Sequence, residues 1–394
     1  MPDMEDSFSF DISRIRLVIC TAFCYNECTL TSEVMPVMMK RLAALFALIA
    51  CLFAALPAGA EYSKYSTLFM DSFDTVTQLI GYCEDQETFD KWAGVVHDTM
   101  LHLHKLFDKY NSYEDEGIVN VHSLNQRAAK EPVEVDPLLF GLLTFCKSHY
   151  ELAQEQTNIA MGSVLSIWHD YREIGSSDPA RASLPPMDAL TAANAHTSID
   201  SLILDPENMT VYFSDPDMQL DVGAVAKGYA VEVVSQLLLS GDMPSFILSG
   251  GGNVRTGEPP LDGRKFWGIG IQDPDGAILG TGDIVETFFL CGMSVVTSGD
   301  YQRYYIVDGK NYHHLIDPDT LMPGDHFRAV SILTEDSGLA DLLSTAAFLM
   351  PYEESRAFIE SMDGVEALWI LPDGSITMTD GAYALSRTGG ASSK

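Results

Sequence analysis

The chain has 394 residues, of which 46% are hydrophobic, and it carries 23 basic against 56 acidic side chains, a formal net charge of −33. Its length and composition allow a large core, in one domain or in two. So acidic a chain repels phosphate backbones and anionic membrane surfaces, which argues against nucleic-acid binding and means that an anionic ligand would need a local cation.

The first elements along the chain are typical of targeting segments. Residues 1–37 show no pattern, and we expect them to be a non-native or disordered extension. Residues 38–60 combine a basic start, an apolar run and small residues before Glu61, as in a secretory signal peptide. Cys51 follows Leu-Ile-Ala, so lipidation at this cysteine is an alternative to cleavage after Ala60, and an uncleaved anchor is a third. Each of the three would place the body outside the cytoplasm, either secreted or anchored to the outer face of the membrane.

The body, residues 61–394, mixes strand and helix patterns. Apolar spacing of three and four predicts helices at 86–110, 138–154, within 223–240, and at 338–350 and 353–361. Short β-branched and apolar runs predict strands at 74–82, 210–213, 246–249, 267–272, 294–297, 304–307 and 329–334, with a closing hairpin through 371–374. A loop rich in serine, proline and alanine at 175–186 is a possible subdomain junction. Because the order is not strictly βαβ, the pattern favours an α+β fold with mixed sheets and packed helices.

An apolar helix late in the chain carries unexpected polar side chains. Asp341 and Thr345 are four residues apart, so they share one helix face. A carboxylate and a hydroxyl are unfavourable to bury there without a partner, and a hard cation such as Mg²⁺ would satisfy both. The alternative is that they are ordinary polar groups that cap the helix or face solvent.

A second stretch places a carboxylate and an ammonium group around small residues. Asp221 precedes Gly223 and Ala224, whose size lets backbone approach a ligand, and Lys227 could hold a pyrophosphate as a point charge. The alternative is a simple helix start with Asp221 near the N-cap. The Gly-Gly-Gly-Asn run at 250–253 predicts a tight turn rather than a dinucleotide fingerprint, because the G-x-G-x-x-G pattern is absent.

A third stretch adds hydroxyls from Ser298 and its neighbours, a histidine and a further carboxylate. His314 ends an apolar, strand-like segment, and an imidazole can accept a proton from a hydroxyl near neutral pH. His313 is the less favoured alternative. Asp317 precedes Pro318, so it is equally suited to form a turn.

Taken in order, these stretches resemble the motifs of the ApbE family, the FAD:protein FMN transferases. The motifs lie at 221–232, 250–253, 298–323 and 340–346, and the resemblance extends over roughly residues 62–380. It implies an ApbE-like, T-fold-like fold, FAD as substrate and Mg²⁺ as cofactor. It also implies transfer of FMN to a threonine or serine hydroxyl of an acceptor redox protein, with release of AMP.

The resemblance implies roles for individual residues. Asp341, Thr345 and the backbone carbonyl of Ala224 correspond to Mg²⁺ ligands. His314, or Asp317 as a nearby carboxylate, would take the proton of the acceptor hydroxyl. The implied flavin-nucleotide contacts are Phe73, Thr75, Asn158, Asp221, Lys227, Gly251, Asn253, Ser298 and Leu315.

Three positions depart from the family pattern. Residues 73–75 are Phe-Asp-Thr where many members have Met-Gly-Thr, and Asn158 stands where many have aspartate. Glu232 stands where aspartate is frequent. The first two departures fall on the positions expected to line the flavin ring, whereas the metal and pyrophosphate positions match. Two other functions fit the same residues: an FAD pyrophosphatase giving FMN and AMP, and a flavin-binding lipoprotein without turnover.

Overall fold

β-Strands form the centre of the protein. The structure is a computed structural model that describes residues 62–279 and 282–394. The segments predicted at 1–37 and 38–60 lie outside the described residues. The strands of the described residues are β1 Ser63–Ser72, β2 Thr75–Cys83, β3 Val133–Glu134, β4 Leu202–Asp205, β5 Thr210–Phe213, β6 Phe246–Gly250, β7 Asn253–Thr256, β8 Trp267–Gln272, β9 Ile284–Leu290, β10 Ser294–Gly299, β11 Tyr304–Val307, β12 Lys310–His313, β13 Ala329–Thr334, β14 Glu366–Ile370 and β15 Ile376–Met378.

Helices connect and cover these strands. The described α-helices are α1 Gln86–Phe107, α2 Val121–Arg127, α3 Pro137–Ser148, α4 Gly162–Ser177, α5 Met187–Asn194, α6 Ala226–Ser240, α7 Pro274–Leu279, α8 Ser337–Leu349, α9 Tyr352–Glu360 and α10 Asp380–Leu385. No helix in this part of the chain combines the length and the apolar character needed to cross a bilayer.

The main sheet has eight strands in the order β1-β2-β6-β7-β10-β13-β14-β15. Every neighbouring pair in it is antiparallel. All residues of β13 are buried, because both faces of the sheet are covered. Val330 and Ile332 face the large core that includes α6 and α8, whereas Ala329 and Leu333 face a second core with β8 and β9.

Helix α8 lies against this sheet and is buried on almost every side. Twelve of its thirteen residues are buried, which explains why its sequence is apolar all round instead of striped. Asp336 starts the helix by accepting a hydrogen bond from the backbone N–H of Leu339 at 2.8 Å. The helix therefore carries Asp341 and Thr345 into the interior, between the sheet and α6.

The predicted α+β class is confirmed. The helices and strands predicted around the motifs are present within a few residues, but the helix predicted at 138–154 ends at Ser148. Several elements were not predicted, among them β1, β4, β7, β9, α2, α4, α5 and α10. Residues 175–186 contain the end of α4 and a 3₁₀ turn at Pro179–Arg181, and Gly175 packs closely against the ring of Tyr305. They lie within the compact unit Tyr62–Lys394, and the subdomain junction stays a prediction.

Phe246 at the start of β6 offers a test of this packing. Its side chain is fully buried in the large core, so Phe246→Ala is expected to lower the free energy of unfolding by about 3–5 kcal/mol. The control is Phe266→Ala, because Phe266 is 36% exposed and should cost less than about 1 kcal/mol. Urea unfolding of both variants measures the difference, and equal losses would contradict the described core.

Candidate functional site

A cavity lies where α6, α8, β7 and β10 meet. Its inner chamber, of about 100 Å³, adjoins a larger outer chamber of about 480 Å³, and Gly223, Lys227 and His314 line both. Twelve of the predicted site residues line one or both chambers: Thr75, Asn158, Asp221, Ala224, Lys227, Gly251, Asn253, Ser298, His314, Leu315, Asp341 and Thr345.

The carboxylate of Asp341, on α8, is hydrogen-bonded to α6 and to β7 at the inner chamber. Its side chain is only 5% exposed, and its Oδ2 accepts hydrogen bonds from the Gly228 backbone N–H and the Asn253 side-chain amide, both at 2.7 Å. Burial raises the pKa of Asp341, while the charge of Lys227 and these two hydrogen bonds act in the opposite direction. None of the described donors hydrogen-bonds Oδ1, which leaves one carboxylate oxygen for a ligand.

A second contact joins α6, α8 and β7 about one helical turn away from the contact at Asp341. Glu232 of α6 accepts a hydrogen bond from the backbone N–H of Ser337 at 2.9 Å, and its carboxylate lies 3.4 Å from Arg255 Nε on β7. Both side chains are largely buried. The start of α8 is thereby held to α6 and β7, so Asp341 is supported by a buried charge pair as well as by its own hydrogen bonds.

Three oxygens at the inner chamber suit a hard cation. Besides Asp341 Oδ1, the hydroxyl of Thr345 lies on the same helix face, 3.4 Å from the Ser298 hydroxyl. The carbonyl of Ala224 accepts no backbone hydrogen bond from the described residues, because Ala224 precedes Val225, the N-cap whose carbonyl accepts the first bond of α6. Carboxylate, hydroxyl and carbonyl oxygens are the donors that Mg²⁺ takes.

The two neighbouring histidines have different environments. His313 uses both ring nitrogens in the fold: Nδ1 accepts from the Leu315 N–H and Nε2 donates to the Gly324 carbonyl. The buried Nδ1 of His314 has no hydrogen-bond partner among the described residues. Burial first, and then nearby cations such as Arg303 and Lys227, hold the pKa of His314 well below its ordinary value of 6.5. His314 is therefore neutral near pH 7 and able to accept a proton.

Two predicted residues lie outside the two chambers. Asp317 forms a turn, because its carboxylate accepts hydrogen bonds from the Asp319 N–H at 2.8 Å and from the Thr320 hydroxyl at 2.8 Å. This is the alternative that its sequence allowed, and the structure does not bring Asp317 to the cavity. Phe73 lines an adjoining pocket with Asp74 and Tyr110.

Two turns at the edge of the cavity, one at Phe73 and Asp74 and one at residues 250–253, pack against each other. Phe73 and Asp74 both have left-handed backbone, with φ of 56° and 51°, in the turn between β1 and β2. Gly251 has φ of 61°, and a Cβ there would lie 2.5 Å from Thr75 Oγ1. Only glycine fits this approach, as predicted for the 250–253 turn. The amide of Asn158, by contrast, is occupied by the Thr197 carbonyl and the Ala160 N–H.

Two cationic residues of the site, Arg172 and Lys109, were not among the predicted contacts, whereas Arg303 is a flavin or phosphate contact that the sequence suggested. Arg172 and Arg303 line the outer chamber. Lys109 pairs with Asp221, with 2.6 Å between Nζ and Oδ2. Arg172 was missed because it lies on α4, a helix that was not predicted. Lys109 was missed because its partner Asp221 is distant in the sequence. Neither has a local sequence signal.

The arrangement of side chains at this site is suited to hold a phosphate-bearing ligand beside a cation and to accept a proton close to that ligand. The sequence model of the ApbE family matches residues 73–369, so the chain belongs to the ApbE family and the predicted resemblance is confirmed.

Individual relatives agree with this membership. The chain is 35% identical over 277 residues to an FAD:protein FMN transferase of Treponema pallidum, covering 66% of this chain and 72% of the relative. It is 29% identical over 290 residues to one of Klebsiella pneumoniae, covering 72% and 86%. The crystal structure of the ApbE protein from Thermotoga maritima aligns with a TM-score of 0.70 at 27% identity, over 82% of this chain and 99% of that one. The flavin transferase ApbE from Vibrio cholerae, at 22% identity and a TM-score of 0.65 over 81% and 97%, supports the fold.

The close approach of α6 to α8 can be tested at Gly228. A Cβ on this residue would lie 2.3 Å from the Ser337 carbonyl oxygen and 2.4 Å from Asp341 Cβ, so Gly228→Ala must push the helices apart. We expect a loss of about 2–4 kcal/mol in unfolding free energy, measured by urea denaturation. Gly94→Ala on the exposed face of α1 is the matched control: it meets no atom within 4 Å and should be neutral or stabilise by up to about 1 kcal/mol. A Gly228→Ala variant as stable as the control would refute the contact.

The neutral state of His314 can be tested by nuclear magnetic resonance. Its imidazole should keep its proton-free nitrogen on acidification until well below pH 6.5, since its pKa is depressed. His196 is the internal control, because the hydrogen bond that its Nδ1–H donates to the Asp215 carboxylate raises the pKa of His196 above 6.5. His314→Gln and His196→Gln assign the two signals. A signal that titrates at or above pH 6.5 and disappears in His314→Gln would contradict the prediction.

Proposed function

We propose that the protein transfers FMN from FAD to a threonine or serine hydroxyl of an acceptor redox protein, with Mg²⁺ bound, and releases AMP. Flavin transfer from FAD to protein is the activity for which its relatives are named. The observation that carries the proposal is the free Oδ1 of the buried Asp341 carboxylate beside the free Ala224 carbonyl and the Thr345 hydroxyl.

Asp341, Thr345 and the Ala224 carbonyl would hold the Mg²⁺ ion. When bound, the ion supplies positive charge that stabilises the phosphate oxygens as negative charge develops during phosphoryl transfer. The donor set fits this role, because it contains one carboxylate and two neutral oxygens and leaves room for substrate phosphates and water.

Lys227 and the small residues would position the pyrophosphate of FAD. Lys227 lines both chambers and forms no ion pair with a described carboxylate, so its ammonium group is free to contact a phosphate. Gly223 and Gly251 line the same chambers and let backbone approach the ligand. Together they would hold the FMN-side phosphorus near Asp341 and His314.

His314 would serve as the proton acceptor. The acceptor hydroxyl oxygen forms a bond to the FMN-side phosphorus, the bond from this phosphorus to the bridging oxygen breaks, and AMP leaves with that oxygen. The hydroxyl proton passes to the imidazole of His314, whose depressed pKa keeps it neutral at neutral pH. Asp317 has no part in this scheme, because its carboxylate is held in a turn.

We further propose that the body acts outside the cytoplasm, after cleavage behind Ala60 or with a lipid on Cys51. The support is the signal-like sequence of residues 38–60. Mass spectrometry of the protein from its host distinguishes a first residue of Glu61 from a lipidated Cys51. A cytoplasmic protein that retains residues 1–37 would contradict this location.

The reaction is tested with FAD, Mg²⁺ and an acceptor domain that exposes a threonine site. We expect the acceptor to gain the mass of one FMN group while AMP appears in equal amount, and both to stop with EDTA. Asp341→Ala should lower the rate at least about 100-fold, since it removes the one charged side chain of the proposed ligand set. Asp363→Ala, an exposed aspartate outside the cavity, is the control and should stay within about two-fold.

Other outcomes would identify the alternatives. AMP and free FMN without a modified acceptor would make the protein an FAD pyrophosphatase. Bound FAD with neither product would leave a flavin-binding protein without turnover and would overturn the proposal.

A further inference from the structure

A buried ion pair lies beneath the loop that enters α6. Lys109, just after the end of α1, places its Nζ 2.6 Å from Asp221 Oδ2, and the two side chains are only 8% and 17% exposed. The backbone N–H of Asp221 donates to the Ile159 carbonyl at 2.8 Å, so the aspartate is fixed at its main chain as well. Burial of this degree is unfavourable for either charge alone, so removal of one partner would leave an uncompensated charge.

The same carboxylate shapes the cavity wall. Its other oxygen, Oδ1, accepts a hydrogen bond from the Gly223 N–H at 2.9 Å, closing the turn that leads to Ala224. Gly223 lines both chambers, and Ala224 lines the inner one. Movement of Asp221 would therefore move the turn that carries the free Ala224 carbonyl.

Lys109 is needed to neutralise the negative charge of Asp221. Asp221 lines the outer chamber, beside the proposed position of the FAD pyrophosphate, and an unpaired carboxylate there would repel the phosphates. Burial lowers the pKa of Lys109 and raises that of Asp221, but in each case the charge of the partner reverses the effect, so both groups stay ionised. The pair is thus neutral as a whole.

We propose that Lys109 is a positioning residue for FAD, which cancels the charge of Asp221 and holds the turn of residues 221–224. The inference rests on the proposed function for the identity of the ligand. It differs from the resemblance, which implies that Asp221 itself contacts FAD, because here both carboxylate oxygens are committed to Lys109 and Gly223.

The test uses Lys109→Met, Asp221→Asn and the double variant in the full-length protein. Methionine keeps most of the length of lysine without its charge, and asparagine keeps the oxygen that accepts from Gly223. Lys105→Met is the matched control, since Lys105 lies one turn earlier, pairs with Glu116 and does not line the cavity. The readouts are the FAD dissociation constant from flavin fluorescence, the thermal midpoint, and kcat against KM for FAD.

We expect Lys109→Met to weaken FAD binding by about ten-fold or more, and kcat at saturating FAD to change by less than about three-fold. Asp221→Asn should bind FAD at least as tightly as the unmodified protein. The double variant should return to within about three-fold of it, because removal of both charges leaves no unpaired carboxylate. Lys105→Met should leave the dissociation constant unchanged.

Several results would overturn the inference. One is a Lys109→Met variant that binds FAD like the Lys105→Met control. Another is a double variant no better than Lys109→Met, which would mean that Lys109 acts by contact with FAD or by packing. Weaker binding by Asp221→Asn would restore direct contact by Asp221. A protein that binds FAD without transfer would refute the proposed function alone, since the binding comparison still stands; one that binds no FAD would refute both.

Discussion

A carboxylate can be buried only where hydrogen-bond donors replace water, and this requirement organises the structure around Asp341. One donor is the backbone N–H of Gly228, and the other is the amide of Asn253. The Gly228 N–H belongs to the first turn of α6, where it has no partner within the helix, and the Ala224 carbonyl lies just before the N-cap Val225 and accepts no backbone bond from the described residues. The contact that packs α8 against α6 therefore lies beside the unpaired oxygen of the inner chamber.

The distribution of charge gives this chamber its ligand preference. The chain has a net charge of −33, yet Lys227, Arg172 and Arg303 line the outer chamber. At physiological ionic strength charges are screened over about 8 Å, so acidic residues on the distant surface act weakly on a ligand while the cavity cations act directly. A phosphate-bearing ligand can thus be held by a strongly acidic protein, provided that a carboxylate close to it is paired with a cation, as Asp221 is with Lys109.

The sequence predicts those parts of the fold and the site that have a local signal. Helix α8 and its polar pair show in the four-residue spacing of Asp341 and Thr345, and the 250–253 turn shows in its glycines. Strand β1 has no such signal, because it is an edge strand that leaves Leu68 and Met70 exposed. Lys109 finds its partner through tertiary packing, which no local pattern encodes. The resemblance implies a catalytic role for Asp317, whereas its place before Pro318 suits a turn equally well, and the structure has the turn.

The orientation of α8, and not only its position, follows from the second contact at Glu232. A single contact at Asp341 would fix the distance between α6 and α8 but would let α8 rotate or tilt about that point. Glu232 binds the N–H of Ser337 and pairs with Arg255, one helical turn or about 5.4 Å from the first contact. Two contacts at this separation fix the direction of the helix axis, so the hydroxyl of Thr345 stays at the chamber together with the carboxylate. The Glu232 side chain is long enough to reach both partners.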